Sequence, residues 1–313
     1  LITTGCHEAL SVGLRALCQP GDVVALDSPS FHGVMQTLKG LGIKALELPT
    51  DPRHGINLPA LEMALEQWPI KAIQLTPTCN NPLGYTMPDA NKLALLRLAQ
   101  RFDVAIVEDD VYGDLAYRYP RPRTIKSYDE DGRVLLCSSF SKTLAPGLRI
   151  GWMAPGRYLE QALHLKYIGT GATATHPQMA LAEFIANGYY EPHVRRLRAQ
   201  YQRNRDLMID WVTRYFPTGT RASAPQGGFM LWIELPEGFD TLRQPAFASQ
   251  RSANRRRQHL FRLRQVPELS AHELCEQGDR HARTSRANRW RDDQGIRDAM
   301  KSGAEAPPFS RLP

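Results

Sequence analysis

A lysine set among hydroxyl side chains, with an arginine seven positions later in a glycine-bearing turn, is the most chemically loaded stretch of this 313-residue chain. The segment is SSFSKTLAPGLRIG, Ser138 to Gly151, with Ser138, Ser139, Ser141 and Thr143 around Lys142 and with Arg149 beyond them. A lysine amine condenses with an aldehyde, and hydroxyls with a guanidinium hold a phosphate. The set therefore suits an aldehyde cofactor that also carries a phosphate. A second candidate, Asp109 in VAIVEDDVYGD, closes an apolar β-branched run 33 residues before Lys142. A carboxylate held there can pair with a protonated ring nitrogen, or it can do no more than cap the following turn.

Such residues need a scaffold that brings distant positions together. Short apolar runs alternate with segments of helical period. Val23–Leu26, Ala45–Leu48, Ala72–Leu75, Val104–Val107, Val134–Cys137 and Leu148–Met153 read as strands, and Phe31–Leu41, Leu58–Trp68 and Pro88–Phe102 as helices. Leu61, Leu65 and Trp68 would share one helix face, and Leu93, Leu96 and Ala99 another; Leu10, Leu14 and Leu17 give the first helix a buried stripe. Strands separated by helices imply a mainly parallel sheet covered on both faces, with ligands at the carboxyl ends of its strands, where Asp109 and Lys142 fall. From Ala180 to Tyr215 the chain turns helical and charged, which predicts a long helix leading to a smaller domain. PQGGFMLWIEL, Pro225 to Leu235, supplies a turn and a strand there.

These motifs together resemble the fold-type I pyridoxal-phosphate proteins of the aminotransferase class I/II family, over Leu1 to about Arg243. The resemblance implies a three-layer αβα large domain with a mainly parallel sheet, plus a smaller and here incomplete α+β domain. It implies pyridoxal 5′-phosphate joined to Lys142 as an aldimine, with Lys142 also the acid–base and Asp109 on the ring nitrogen. Asn81, in the turn CNNPLG, matches the family's NPxG asparagine on the cofactor's phenolic oxygen, and Tyr112 matches the tyrosine on the same atom. TTGCHEAL matches the turn that cradles the phosphate: Gly5 permits close approach, and Cys6 and His7 begin a helix whose free N–H groups favour an anion. For His7 the backbone is expected to matter more than the ring. Cys6 stands where a small or hydroxyl residue is usual, so one side-chain bond to phosphate is expected to be weak or missing. Phe31, in DSPSFHG, matches the aromatic that stacks on the ring, and Ser139 and Arg149 complete the phosphate site.

Residues 1–190 are expected to form the cofactor domain and 191–243 a connecting helix with part of the small domain. Residues 244–313 are then a basic tail, with 13 Arg and one Lys against eight acidic residues; its net +6 leaves only +1 of the chain's +7 for the rest. No sequence there resembles the family's ending, whose arginine binds the substrate α-carboxylate, whereas a shifted reading frame over Ala253–Ser270 gives a family-like string. The tail therefore reads as a frameshift product, poorly ordered, its charge an accident of codons with no selected DNA contact. The family's N-terminal arm, which supports a dimer, is also not seen before Leu1.

Other classes fit less well. No apolar run approaches the roughly 20 residues of a membrane span, and five scattered cysteines without a CxxC pair favour reduced thiols in a cytoplasm. The histidines lack metal-ligand spacing, so no metal is expected. GTGATA, Gly169–Ala174, fits a dinucleotide pattern but follows a helical segment, not a strand. EDDVYGDL, LCSSFSKTLAPGLRIGW and PQGGFMLW resemble most the aminotransferase-like domain of GntR/MocR-type regulators, where engagement of an amino acid is a signal. DNA would then be read only through a winged helix-turn-helix upstream of Leu1. The alternative is a free-standing aminotransferase working on an amino acid and a 2-oxo acid, with this chain impaired by the lost arginine. A cofactor-free interaction module is the third reading.

Overall fold

The structure, a computed structural model, describes residues 1–236 and the short strand Leu263–Gln265. Arg243 and, apart from that strand, the tail with its proposed frameshift lie outside the described residues.

The most apolar runs become the central strands. β2 (Val23–Ser28), β5 (Ile70–Leu75), β6 (Ala105–Asp109) and β7 (Val134–Ser139) are buried at nearly every position. A strand covered on both faces has no polar face to alternate with, so it reads as a continuous hydrophobic run. With β1 (Ile2–Thr3), β3 (Lys44–Asp51), β4 (Gly55–Ile56) and β8 (Gly151–Ala154) they form an eight-stranded sheet of order β1-β8-β7-β6-β5-β2-β3-β4. The five strands β3, β2, β5, β6 and β7 run parallel; β8, β1 and β4 pair antiparallel at the ends. The order turns back at β2, which is followed in sequence by β3 on one side and β5 on the other. That reversal opens a crevice at the carboxyl ends of β2 and β5.

Helices α1 (Cys6–Leu17), α2 (His32–Gly40), α3 (Leu58–Gln67), α4 (Asp89–Arg101), α5 (Leu159–Thr170) and α6 (Thr175–Ala186) fall between or after these strands, giving the αβα layering. In α1, Ala9, Leu10, Val12, Gly13 and Leu14 face the sheet, where Gly13 lets the helix approach Leu135 and Met153; Leu17, its last residue, is only half-buried. Asn57 caps α3 by accepting from Ala60 N at 2.9 Å.

Four sequence expectations are corrected. Trp68 is 52% exposed, because α3 ends at Gln67 and Trp68 is already extended, off the face of Leu61 and Leu65. On α4 the buried set is Leu95, Leu96 and Ala99 together with Lys92, whose ammonium reaches the Arg123 carbonyl at 2.6 Å; Leu93 is half-buried. Leu148–Met153 is not one strand. Pro146–Leu148 is a 3-10 turn and Arg149 is left-handed (φ 51°), so β8 begins only at Gly151. The helical stretch after Ala180 is two helices, α6 and α7 (Tyr190–Tyr215), parted by Gly188 at φ 74°.

The chain divides into two compact units. The first is Leu1–Gln202 with Ala224–Gly228; the second has as its described part Arg203–Ser223, 229–236 and 263–265. In the second, β9 (Arg221–Ala222), β10 (Trp232–Glu234) and β11 (Leu263–Gln265) form an antiparallel sheet of order β11-β10-β9. No helix among the described residues is long and apolar enough to cross a membrane.

Candidate functional site

Every candidate residue lies in the first unit, and most follow the carboxyl end of a parallel strand: Phe31 after β2, Asn81 after β5, Asp109 and Tyr112 at and after β6, Ser139 and Lys142 at and after β7. Asp109 is 5% exposed. Burial lifts its pKa to about 6, with Asp110 adding to the rise; the Val111 N–H, the Cys6 thiol and the Lys142 ammonium pull the other way. Lys142, 33 residues on in sequence, is thus close enough in space to act on this carboxylate.

The phenolic side is built from the β5 and β6 loops. Asn81 Nδ2 donates to Tyr112 Oη at 3.3 Å, both buried, which joins two residues that the sequence assigned to one atom. The phosphate side is built at the start of α1. Gly5 precedes the helix with φ 85° and ψ 168°, a conformation that needs glycine. Arg149 Nη2 donates to Thr4 O at 2.9 Å, and a Cβ on Gly5 would lie 2.5 Å from that same nitrogen. The left-handed turn at Arg149 is what swings the guanidinium back over the helix start. Ser139 Oγ accepts from Ser141 N at 3.4 Å, holding the turn before Lys142. His7 sends its ring away to Thr37 Oγ1 at 3.3 Å, so only its backbone faces the cradle. The Phe31 ring packs on its own turn, over Gly33 and edge-on to His32 at 4.8 Å.

At Cys6, where a weak or missing side-chain bond to phosphate is expected, the thiol has another partner. The thiol does not turn toward the phosphate cradle; it donates to Asp109 Oδ1 at 3.3 Å, the oxygen that also accepts from Val111 N at 3.1 Å. Burial pushes the thiol pKa well up, so Sγ keeps its proton and remains a donor. Cys6→Ala is therefore expected to raise the Asp109 pKa by about half a unit to one unit, and Cys6→Ser to restore it, since hydrogen bonds to an ionised carboxylate favour that form. Titration of the Asp109 carboxyl by carbon-13 NMR in the cofactor-free protein reads this directly; an unmoved midpoint in Cys6→Ala refutes it.

Sequence reasoning missed the groups behind the lysine. Asp110 is buried against Arg121 at 2.6 Å, Arg121 continues to Asp114 at 2.7 Å, and Tyr190 of α7 donates to Asp114 at 2.8 Å. Tyr190 also meets Thr143 Oγ1 at 3.2 Å, and His193 Nε2 donates to the Thr143 carbonyl at 2.8 Å. The residue next to Lys142 is thus held by the first turns of α7. The doubled acid in EDD was visible, but nothing in it told which carboxylate pairs with Arg121.

The start of α1, a guanidinium folded over it, and a lysine within electrostatic reach of a buried carboxylate come together at strand ends of an αβα sheet. The chain belongs to the aminotransferase class I and II family, whose description matches residues 1–266. It is 58% identical over 240 residues to the uncharacterized HTH-type transcriptional regulator YjiR of Escherichia coli, covering 77% of this chain and 51% of that protein. It is 33% identical to aromatic-amino-acid aminotransferase 1 of Thermococcus litoralis, covering 77% of this chain and 59% of the relative. Among solved structures, a Pyrococcus horikoshii kynurenine aminotransferase in complex with PMP, KYN as substrates and KYA as products superposes with a TM-score of 0.72 at 32% identity, over 77% of this chain and 61% of that one. The chain spans about half the length of the regulator it matches. It is an aminotransferase-like domain with a mainly parallel αβα sheet.

Proposed function

We propose that this chain binds pyridoxal 5′-phosphate through Lys142 and serves as the amino-acid-sensing half of a cytoplasmic, dimeric GntR/MocR-type transcriptional regulator. The observation that carries the cofactor is the buried carboxylate of Asp109, within electrostatic reach of Lys142 and flanked by the Asn81–Tyr112 bond and by the Gly5–Arg149 cradle. The residues fit the group: the cradle has no room for a Cβ at Gly5, and Asp109 keeps an anion where a ring nitrogen needs a proton.

When bound, pyridoxal phosphate supplies an electron-accepting ring next to the amino acid's Cα. The chain's own groups do the rest. Lys142 Nζ carries the covalent attachment and, once freed, moves a proton at the amino acid. Asp109 holds the proton on the ring nitrogen. Asn81 and Tyr112 donate to the phenolic oxygen, while the amides of Cys6 and His7 with Ser139 and Arg149 hold the phosphate. Phe31 covers one ring face.

Two observations bear on regulator against enzyme. The 58% relative is named a regulator and is about twice as long as the matched segment, which supports a winged helix-turn-helix outside this chain as the part that reads DNA. The 33% relative is an aminotransferase, and the same groups would serve transfer between an amino acid and a 2-oxo acid. Adding pyridoxal phosphate to the chain is expected to produce a visible band that borohydride fixes to Lys142 and that Lys142→Ala lacks entirely. A band unchanged in Lys142→Ala overturns the cofactor assignment. Turnover of amino acid with 2-oxo acid at ordinary enzymatic rates would select the transferase.

A further inference from the structure

The crevice at the sheet's reversal is bordered by two loops, the one after β2 that carries Phe31 and the one after β5 that carries Asn81. Asp27, near the end of β2, sits between them and is 1% exposed. Its Oδ2 accepts from Asn80 Nδ2 at 2.7 Å and from Tyr85 Oη at 2.9 Å. Asn80 in turn organises the whole turn. Its Oδ1 accepts from Leu83 N at 3.0 Å, its Nδ2 also reaches Thr76 O at 3.3 Å, its N–H donates to Tyr85 O and its carbonyl accepts from Gly84 N, both at 2.8 Å. The next residue is Asn81, already bound to Tyr112.

We propose that Asp27 is a positioning residue for the cofactor site, a buried carboxylate that locks the end of β2 to the Asn80–Asn81 turn and so aims Asn81 and Tyr112 at one atom. The proposal rests on the pyridoxal-phosphate reading. The charge makes the lock strong: the Asn80 and Tyr85 donors converge on one oxygen, and an amide of the same shape would keep both only as neutral hydrogen bonds, about half as strong. Burial raises the Asp27 pKa to about 6, against the pull of its hydrogen-bond donors, so stability alone does not favour a carboxylate here. Orientation does: Asp27 sits on β2 and holds Asn80, one residue before Asn81.

The test uses the full chain with pyridoxal phosphate. Asp27→Asn is expected to raise the pKa of the lysine-bound chromophore by about one unit, tenfold in proton affinity, because Asn81 and Tyr112 no longer converge on the phenolic oxygen. Melting temperature should stay level or rise. Asn80→Ala cuts the same link while leaving the carboxylate, so it should give the same shift, and the double variant no more than either alone. A purely structural Asp27 predicts the opposite pattern, a lower melting temperature with the chromophore titrating as in wild type, and that result overturns the proposal. So does Asn80→Ala titrating as wild type if Asp27→Asn does not fold. If wild type forms no lysine-bound band, the cofactor reading fails by itself. The Asn81 side-chain amide resonance in the cofactor-free protein then decides: displaced in either variant it upholds the proposal, and unmoved in both it overturns it.

Discussion

Asp109→Asn should make the cofactor-free protein more stable above about pH 6 while weakening its hold on pyridoxal phosphate. The folded-state pKa of this carboxyl is lifted from 3.8 to about 6 by burial, so the folded chain holds the proton more tightly than the unfolded chain does. The stability linked to that proton is complete below pH 3.8 and is lost as pH rises through about 6. At neutral pH the ionised carboxylate then costs on the order of 3 kcal/mol, at about 1.4 kcal/mol per unit. Asparagine escapes this cost. Its Oδ1 still accepts from Cys6 and Val111, and its amide gives back about 1 kcal/mol if left without an acceptor. Urea unfolding at pH 5 and pH 8 separates the effects: the variant's advantage should be largest at pH 8 and smaller by roughly 1.4 kcal/mol at pH 5. Asp27 and Glu108, raised to about 6 and about 7 by burial, tilt both proteins alike and cancel in the comparison. If pyridoxal phosphate binds as proposed, its pyridinium N–H would neutralise Asp109 in wild type, so the cofactor should raise the melting temperature of wild type by several degrees more than that of the variant. Equal loss of stability at both pH values would mean that Asp109 is a structural acceptor and not a charge kept for a ligand.

The strand ends where the candidate residues fall were legible in the sequence, since the burial of β2, β5, β6 and β7 on both faces is written in their unbroken apolar runs. Side-chain direction was not legible. Whether Cys6 turns to a phosphate or to Asp109 depends on a contact 103 residues away, and no local pattern carries it. Trp68 and Lys92 failed for a related reason: periodicity gives the face of a helix but not the residue at which the helix stops, nor the carbonyl that takes a buried ammonium. Asp27 lies four residues before Phe31 and Asn80 one residue before Asn81, and no local pattern marks either of them. Their signal was polarity inside a buried strand end, which only the burial of both residues turns into a constraint.

Gly151→Ala is expected to damage the phosphate cradle without touching any side chain in it. A Cβ at Gly151 would lie 2.4 Å from the Gly5 carbonyl carbon and 2.7 Å from Cys6 N, and both atoms are backbone. No rotamer can yield. Gly151 pairs with Thr3 on one side and with Ser139 on the other, so β8 cannot retreat without breaking its register. The relief must come from the first turn of α1, whose amides at Cys6 and His7 would move off the point where Arg149 converges. Overpacking of this kind costs roughly 1–3 kcal/mol. Affinity for pyridoxal phosphate should fall on the order of a hundredfold, because a helix N-terminus binds an anion only at contact. Pyridoxal, which lacks the phosphate, separates a local effect from general damage: its weaker binding to Lys142 should change little. Gly147→Ala is the control, since a Cβ there meets nothing within 4 Å, and it should stay within about 0.5 kcal/mol of wild type. If Gly151→Ala weakens pyridoxal and its phosphate equally, the lysine turn has moved and not the cradle. If it weakens neither, the phosphate is held by Arg149 and Ser139 without the start of α1.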